Sequence, residues 1–74
     1  MSRGDVETYY AMGAWHSRIE GEASPFATGG TKAEQVATGA EEARRRRCDH
    51  IIKNAYGRVD DQHSYRRSPH QATR

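Results

Sequence analysis

One stretch, Thr31 to Arg47 (TKAEQVATGAEEARRRR), has the residue pattern of an amphipathic helix. Thr31 and Glu34 have the spacing of a capping box, in which each side chain accepts a hydrogen bond from the other residue's backbone N–H. At about 100° per residue, Gln35 falls opposite the small apolar side chains. The apolar side consists of Ala33, Val36, Ala37, Ala40 and Ala43. Because alanine is small, we expect the larger core side chains to come from the strands.

Four other segments have the residue types of β-strands. They are Val6–Met12, Trp15–Glu20, Asp49–Lys53 and Arg58–Asp61. In the second segment, His16 and Arg18 alternate with Trp15 and Ile19, so we predict that His16 and Arg18 lie on the exposed face of the sheet. The stretch Ala23–Thr28 contains a proline, which limits any strand there to a short edge strand.

These elements predict an α+β fold, in which one amphipathic helix packs on one face of a small antiparallel sheet in the order β-β-(β)-α-β-β. We expect one domain over residues 6–65, between a flexible N-terminus at residues 1–5 and a disordered basic tail at residues 66–74. The predicted core consists of Trp15, Ile19, Phe26, Val36, Ala40, Ile51, Val59 and Tyr65.

The composition limits the size of that core. The chain has 74 residues, lacks leucine and contains only seven Ile, Val and Phe residues. Such a fraction is low for a globular domain, but a net charge of +2 and six aromatic residues favour ordered structure over disorder. A small domain with few apolar residues gains buried area by binding a partner, so we expect self-association or a partner protein.

Charge is distributed unevenly along the chain. Residues 1–43 carry three basic and seven acidic side chains, and residues 44–74 carry nine basic and three acidic ones. Ten of the twelve basic residues are arginine, which is suited to bidentate contacts with phosphate or carboxylate. The alternative interpretation is a solvated, arginine-rich helix end. The residues predicted to contact nucleic acid or a partner are Arg44, Arg45, Arg46, Arg47, Lys53, Tyr56, Arg58, Arg66 and Arg67.

The order and spacing of several short motifs resemble those of a family of small bacterial and phage proteins called domain of unknown function 2188. The motifs run from Trp15 and Glu20-Gly21, through the helix start and the pair Ile51-Ile52, to Gly57-Arg58-Val59 and Ser64-Tyr65 with Pro69. Two positions depart from the family pattern: Ser17 replaces an aliphatic residue and Arg66 replaces a glycine. The resemblance implies no particular activity.

A second resemblance covers Trp15 to Ala40. A strand that begins with tryptophan, a phenylalanine before a Thr-Lys-Ala-Glu helix start and a stripe of alanines are similar to the modules with which some phage integrases bind arm-site DNA. The resemblance implies a sheet that enters the major groove and presents His16 and Arg18 to DNA. Glu20 and Glu22 argue against this mode because carboxylates repel phosphate.

Candidate catalytic and metal-binding groups are few. Cys48 and His50 are two residues apart on a predicted strand, but the chain lacks the close Cys or His pairs of zinc sites. Asp60 and Asp61 are adjacent, so a regular strand would point them to opposite faces. The pair Gly29-Gly30 lacks the Lys and Ser/Thr of a phosphate-binding loop. We therefore predict a protein that is not an enzyme, with no cofactor, no metal and no small-molecule substrate.

The single cysteine excludes an intramolecular disulfide, and no apolar run approaches the ~20 residues of a membrane span. We expect a cytoplasmic protein without a membrane partner. Two functions remain. The concentration of arginine in the second half favours a nucleic-acid-binding accessory protein, with DNA or RNA as the partner. The alternative is a protein-interaction module that forms a homodimer, or that acts as an inhibitor or adaptor of a larger protein.

Overall fold

A computed structural model describes residues 4–66 of the chain. Its elements are β1 (Val6–Ala11), β2 (Ala14–Ile19), β3 (Ala27–Thr28), α1 (Lys32–Arg46), β4 (Asp49–Lys53) and β5 (Val59–Ser64). The strands form one sheet in the order β3-β2-β1-β4-β5, and α1 packs on one face. The predicted α+β fold with one helix on a small sheet is therefore confirmed. Within residues 4–66, no helix is both long and apolar enough to cross a membrane.

The sheet is mixed, whereas the sequence predicted only antiparallel pairs. β1 pairs with β4 in parallel, with Thr8 opposite Ile52, while the other strand pairs are antiparallel. The parallel pair arises because α1 returns the chain across the sheet before β4 begins, as in other crossover connections. As a result, the β1–β2 turn and the β4–β5 turn lie at the same end of the sheet, beside the N-terminus of α1.

Local sequence signals determine the limits of the hairpin and the helix. Met12 and Gly13 form the two-residue turn between β1 and β2, with φ values of 52° and 78°, as hairpins with primed turns require. Thr31 caps α1, and the reciprocal hydrogen bonds with Glu34 complete the predicted capping box. The helix ends at Arg47, whose φ of 58° places it in the left-handed region usual for a helix C-terminus.

The helix meets the sheet through a different face from the predicted one. Its buried residues are Gln35, Gly39 and Ala43, which follow one another at intervals of four, while Ala33 and Ala37 are exposed. The helix is therefore rotated by roughly a quarter of a turn from the orientation that places all its alanines on the sheet. This orientation places the Gln35 side chain against the sheet, where Ser17 donates a hydrogen bond to it.

The apolar core is small. Its buried apolar residues are Val6, Ile19, Ala43, Cys48 and Ile52, and Tyr65 packs against them. Among the other predicted core residues, Trp15, Val36, Ala40 and Ile51 are half-buried. Ile52, rather than Ile51, faces the helix because its parallel partner is the fully buried Thr8.

Two predicted core residues are exposed. Phe26 is 43% exposed because it precedes the two-residue strand β3 at the rim of the sheet, beside the C-terminal half of α1. Val59 is 57% exposed because it lies on the outermost strand, opposite Lys53, where the helix does not reach. The prediction that Phe26 and Val59 belong to the core is therefore wrong.

Gly4 and Asp5 are part of the folded body rather than a flexible terminus. The Gly4 amide donates to the Glu20 carbonyl, and the Glu20 amide donates to the Asp5 carbonyl. The Asp5 carboxylate is buried and forms an ion pair with Arg66, the first residue of the predicted tail. Residues 67–74 of that tail lie outside the described residues.

Gly39 allows the close contact between helix and sheet. A Cβ atom at this position would lie 2.5 Å from Nε2 of His50 and 2.6 Å from Oγ1 of Thr8. Both distances are shorter than van der Waals contact, and both atoms belong to fully buried side chains. Glycine in a helix interior costs about 1 kcal/mol relative to alanine, and here the close approach of α1 to β1 and β4 offsets that cost.

We predict that Gly39→Ala destabilises the protein by about 1–3 kcal/mol in urea unfolding, because overpacking outweighs the gain in helix propensity. Thr38→Ala is the matched control, since it also places alanine in the helix but at an exposed position, and its effect should stay within about 0.5 kcal/mol. A Gly39→Ala variant as stable as the wild type would contradict the close packing described here.

Candidate interaction surface

A chain of buried polar side chains lies between the helix and the sheet. Oγ of Ser17 donates to Oε1 of Gln35 at 2.8 Å and lies 3.0 Å from Oγ1 of Thr8, which lies 2.7 Å from Nε2 of His50. Because Ser17 has one hydroxyl hydrogen and gives it to Gln35, Thr8 must donate to Ser17, and Nε2–H of His50 must donate to Thr8. This order of donors and acceptors requires the His50 tautomer that carries its hydrogen on Nε2.

This arrangement of His, Thr and Ser is structural rather than catalytic. Thr8, Ser17 and His50 have no solvent-exposed surface, so a substrate cannot reach them. Burial, with a smaller contribution from His63, lowers the pKa of His50 to about 4, so the ring is neutral near pH 7. Its Nδ1 is buried without a partner, which leaves an acceptor rather than a donor unsatisfied. A serine is therefore accommodated at position 17 because its neighbours Thr8 and Gln35 are polar and bond to its hydroxyl.

A second buried group lies on the opposite, open face of the sheet. Glu7 is only 2% exposed, and its carboxylate lies between Arg18, whose Nε is 2.8 Å from Oε1, and Lys53, which pairs with Oε2. Burial raises the pKa of Glu7, but its hydrogen bonds to Lys53 and Arg18 outweigh this effect, so the pKa is lower than usual. Glu7 therefore stays ionised, with two cations beside it.

His16 and Arg18 lie on this open face, but both are half-buried. The two ring nitrogens of His16 bond to the carbonyl of Ala11 and the hydroxyl of Thr28, and its ring stacks on Tyr9 with centroids 5.2 Å apart. The Arg18 guanidinium also lies over Tyr9, 5.1 Å from the ring centroid. These contacts hold both side chains against the open face of the sheet.

Arg44 to Arg47 form an exposed group at the C-terminal end of α1. Glu42 binds both Arg45 and Arg46 at 2.6 Å, and these contacts lower the pKa of its carboxyl. Arg44 lies over the ring of Tyr65. Part of the positive charge of this segment is therefore neutralised by the helix itself.

The other predicted contact residues divide between two ends of the molecule. Arg66 lies near the C-terminal end of α1, where it pairs with both Asp5 and Asp49 at 3.0 Å. Lys53, Tyr56 and Arg58 lie at or beside the β4–β5 turn, at the opposite end of β4. The fold thus does not bring them together in one basic surface. Arg67 lies outside the described residues.

The candidate metal ligands have other roles. The Cys48 thiol is buried in the core, and burial followed by the charge of Asp5 raises its pKa, so it remains protonated. Nε2 of His50 is bonded to Thr8. Within residues 4–66, no group of three or more His, Cys, Asp or Glu side chains has a geometry suited to a metal ion.

Exposed apolar side chains are concentrated at the end of the sheet where the β1–β2 and β4–β5 turns lie. Four of the five large apolar residues that are exposed in the described part lie there, namely Tyr10 (39%), Met12 (99%), Tyr56 (90%) and Val59 (57%). We call these four residues the tip surface. The sequence did not reveal it as a unit, because Met12 and Tyr56 belong to turns far apart in the chain. The parallel pairing of β1 and β4 brings those turns to the same end of the sheet.

The described residues define a small α+β domain with one helix on a five-stranded sheet. The sequence profile of DUF2188, described as an uncharacterized protein conserved in bacteria, matches residues 6–65. Since this match covers most of the chain, the protein belongs to the DUF2188 family. No curated protein and no solved structure matches the chain.

We predict that Thr8→Val, which preserves side-chain shape, costs about 1–3 kcal/mol in urea unfolding, because Nε2–H of His50 loses its acceptor and Ser17 loses its donor inside the fold. Thr28→Val is the matched control, since Thr28 bonds to His16 at an exposed site and should cost less than about 1 kcal/mol. Equal losses in the two variants would mean that the buried chain is not a stabilising unit.

A second prediction concerns pH. The unfolded chain binds a proton at His50 near pH 6.5 and the folded protein only near pH 4, so stability should fall as the pH is lowered between these values, by about 3 kcal/mol in total. His50→Gln keeps a possible donor to Thr8 without titrating, so this part of the decline should disappear in urea unfolding at stepped pH. The His63→Gln variant should retain most of the decline in stability. If the decline disappeared completely in that variant, burial would not be the main cause of the low pKa of His50.

Proposed function

We propose that this protein is a non-enzymatic protein-interaction module that binds its partner through the tip surface. The observation that carries the proposal is the exposure of Tyr10, Met12, Tyr56 and Val59 at one end of a domain poor in apolar residues. Solvent-exposed groups of large apolar side chains commonly mark protein contacts, and Tyr and Met are enriched in interfaces.

Charge neutralisation within the chain supports this choice over nucleic-acid binding. Residues 4–66 contain nine Lys and Arg against ten Asp and Glu, a net charge of −1. Six of the nine cations form ion pairs within those residues. The three that do not are Arg44, Arg47 and Arg58. A protein that binds nucleic acid by displacing many counterions from the phosphate backbone needs more than three Lys or Arg side chains without an ion pair.

Nucleic-acid binding remains a second candidate because of one feature. Arg44 and Arg47 lack an ion pair within residues 4–66 and lie one turn apart, beside Arg45 and Arg46 at the end of α1. Four consecutive arginines at the end of a helix can follow a phosphate backbone even when two of them share a carboxylate. This function would be independent of the tip surface, so the two candidates can be separated by mutation.

The test is affinity capture from a cell extract, with the wild type, a Met12→Asn/Tyr56→Ser variant and an Arg44→Gln/Arg47→Gln variant as baits. Asparagine suits the left-handed backbone of Met12, so the first variant should fold normally. We expect one protein to be retained by the wild type and the arginine variant but lost by the tip variant. Light scattering of the purified protein shows whether that partner is a second copy.

The competing outcome is measured by fluorescence anisotropy of duplex DNA, single-stranded DNA and RNA at about 50 and 200 mM salt. Binding with a steep salt dependence that is lost in the arginine variant and kept in the tip variant would contradict the proposal. Capture of no protein by the wild type, together with a monomeric mass, would contradict it as well.

A further inference from the structure

The charges of the open face indicate what kind of partner the tip surface fits. On the open face, Glu7 is the buried partner of both Arg18 and Lys53, so two cations are balanced by one carboxylate. Arg18 uses Nε for Glu7, and its side chain is 34% exposed, while that of Lys53 is 29% exposed. The guanidinium nitrogens that do not contact Glu7 and part of the ammonium group are therefore available to an incoming anion.

Arg58 adds a third cation at this end. It is exposed, it directly precedes Val59, and no carboxylate within residues 4–66 pairs with it. Val59 lies opposite Lys53 across the β4–β5 pair, so an exposed apolar side chain sits beside cations on the open face. Both features of a mixed apolar and cationic docking surface are thus present together.

The two carboxylates that follow Val59 in the chain, Asp60 and Asp61, are on the other side of the sheet. A bulge in the β4–β5 pair skips Asp60, whose carboxylate reaches Lys32 on the helix at 3.0 Å and Asn54 at 3.3 Å. Asp61 lies opposite the buried Ile52 and so also occupies the helix side. The bulge thereby lets both Asp60 and Asp61 lie on the helix side, which an unbroken strand would not do for both residues.

We infer that the tip surface and the neighbouring cations of the open face bind an acidic, apolar peptide segment of a partner protein. This inference rests on the proposed interaction function and adds the chemistry of the partner. The apolar side chains of that segment would cover Val59 and Tyr56, and its carboxylates would face Lys53 and Arg58. Arg18, two strands from Lys53 on the same face, would meet a carboxylate farther along the segment. An anionic membrane fits less well, because a flat surface meeting the whole end would also approach Asp60 and Asp61.

The experiment uses three short fluorescent peptides with the same Leu and Phe positions and with Glu, Lys or Ser between them. Their binding to the full chain is followed by anisotropy at about 50 and 200 mM salt, beside sedimentation with phosphatidylserine vesicles. We expect the Glu peptide to bind, at least tenfold more tightly than the Lys peptide, and more weakly at the higher salt concentration. Preferential binding of the Lys peptide, of the vesicles, or of no probe would overturn the inference.

Arg58→Glu is the diagnostic variant, because this exposed side chain has no ion pair within residues 4–66 whose loss could unfold the protein. It should weaken binding of the Glu peptide by about three- to tenfold, while Arg47→Glu, the same charge change at the opposite end, should change it by less than about twofold. Equal effects of the two variants would overturn the inference. If all three peptides bind equally and only the tip variant loses them, the interaction function stands and the acidic partner is excluded.

Discussion

The contact between Gly39 and the pair Thr8 and His50 governs the architecture of this domain. The absence of a side chain at Gly39 lets the helix backbone meet the central strands β1 and β4 directly. The close approach brings Gln35 to Ser17, and so completes a line of hydrogen bonds across four elements, α1, β2, β1 and β4. Once the helix is held there, its alanines cannot all face the sheet, and its rotation follows from satisfying polar groups rather than from burying the most apolar surface.

Polar groups thus complete a core that apolar side chains alone would leave small. Val6, Ile19 and Ile52 are the only buried aliphatic side chains larger than alanine in the described part. On the helix side the remaining space is filled by a hydrogen-bonded chain that ends at His50, and on the open side the central position is a carboxylate, Glu7. Such groups are tolerated inside a protein only when they are paired, so this core depends on the hydrogen bonds and ion pairs that its polar groups form.

The same pairing determines which surface remains free for a partner. Six of the nine basic side chains in residues 4–66 are bound to carboxylates of this chain, from Glu42 on the helix to Asp49 on β4. Apolar side chains, by contrast, are exposed where the two hairpin turns meet. Because an ion pair inside the chain reduces the charge available to a ligand, the proposed function rests on the apolar end. The inferred preference for acidic partners rests on Arg58, which has no ion pair within residues 4–66, and on Arg18 and Lys53, which share one carboxylate.

The sequence by itself determined the features that depend on close neighbours in the chain: the helix with its Thr31 and Glu34 cap, the two hairpins and the family. The tertiary structure alone decided the helix face, the parallel β1–β4 pair and the exposure of Phe26 and Val59. The reason is physical, since caps and turns are completed within about four residues. The orientation of α1, however, depends on a contact between Gly39 and a strand that begins at Val6, for which no local pattern carries a signal.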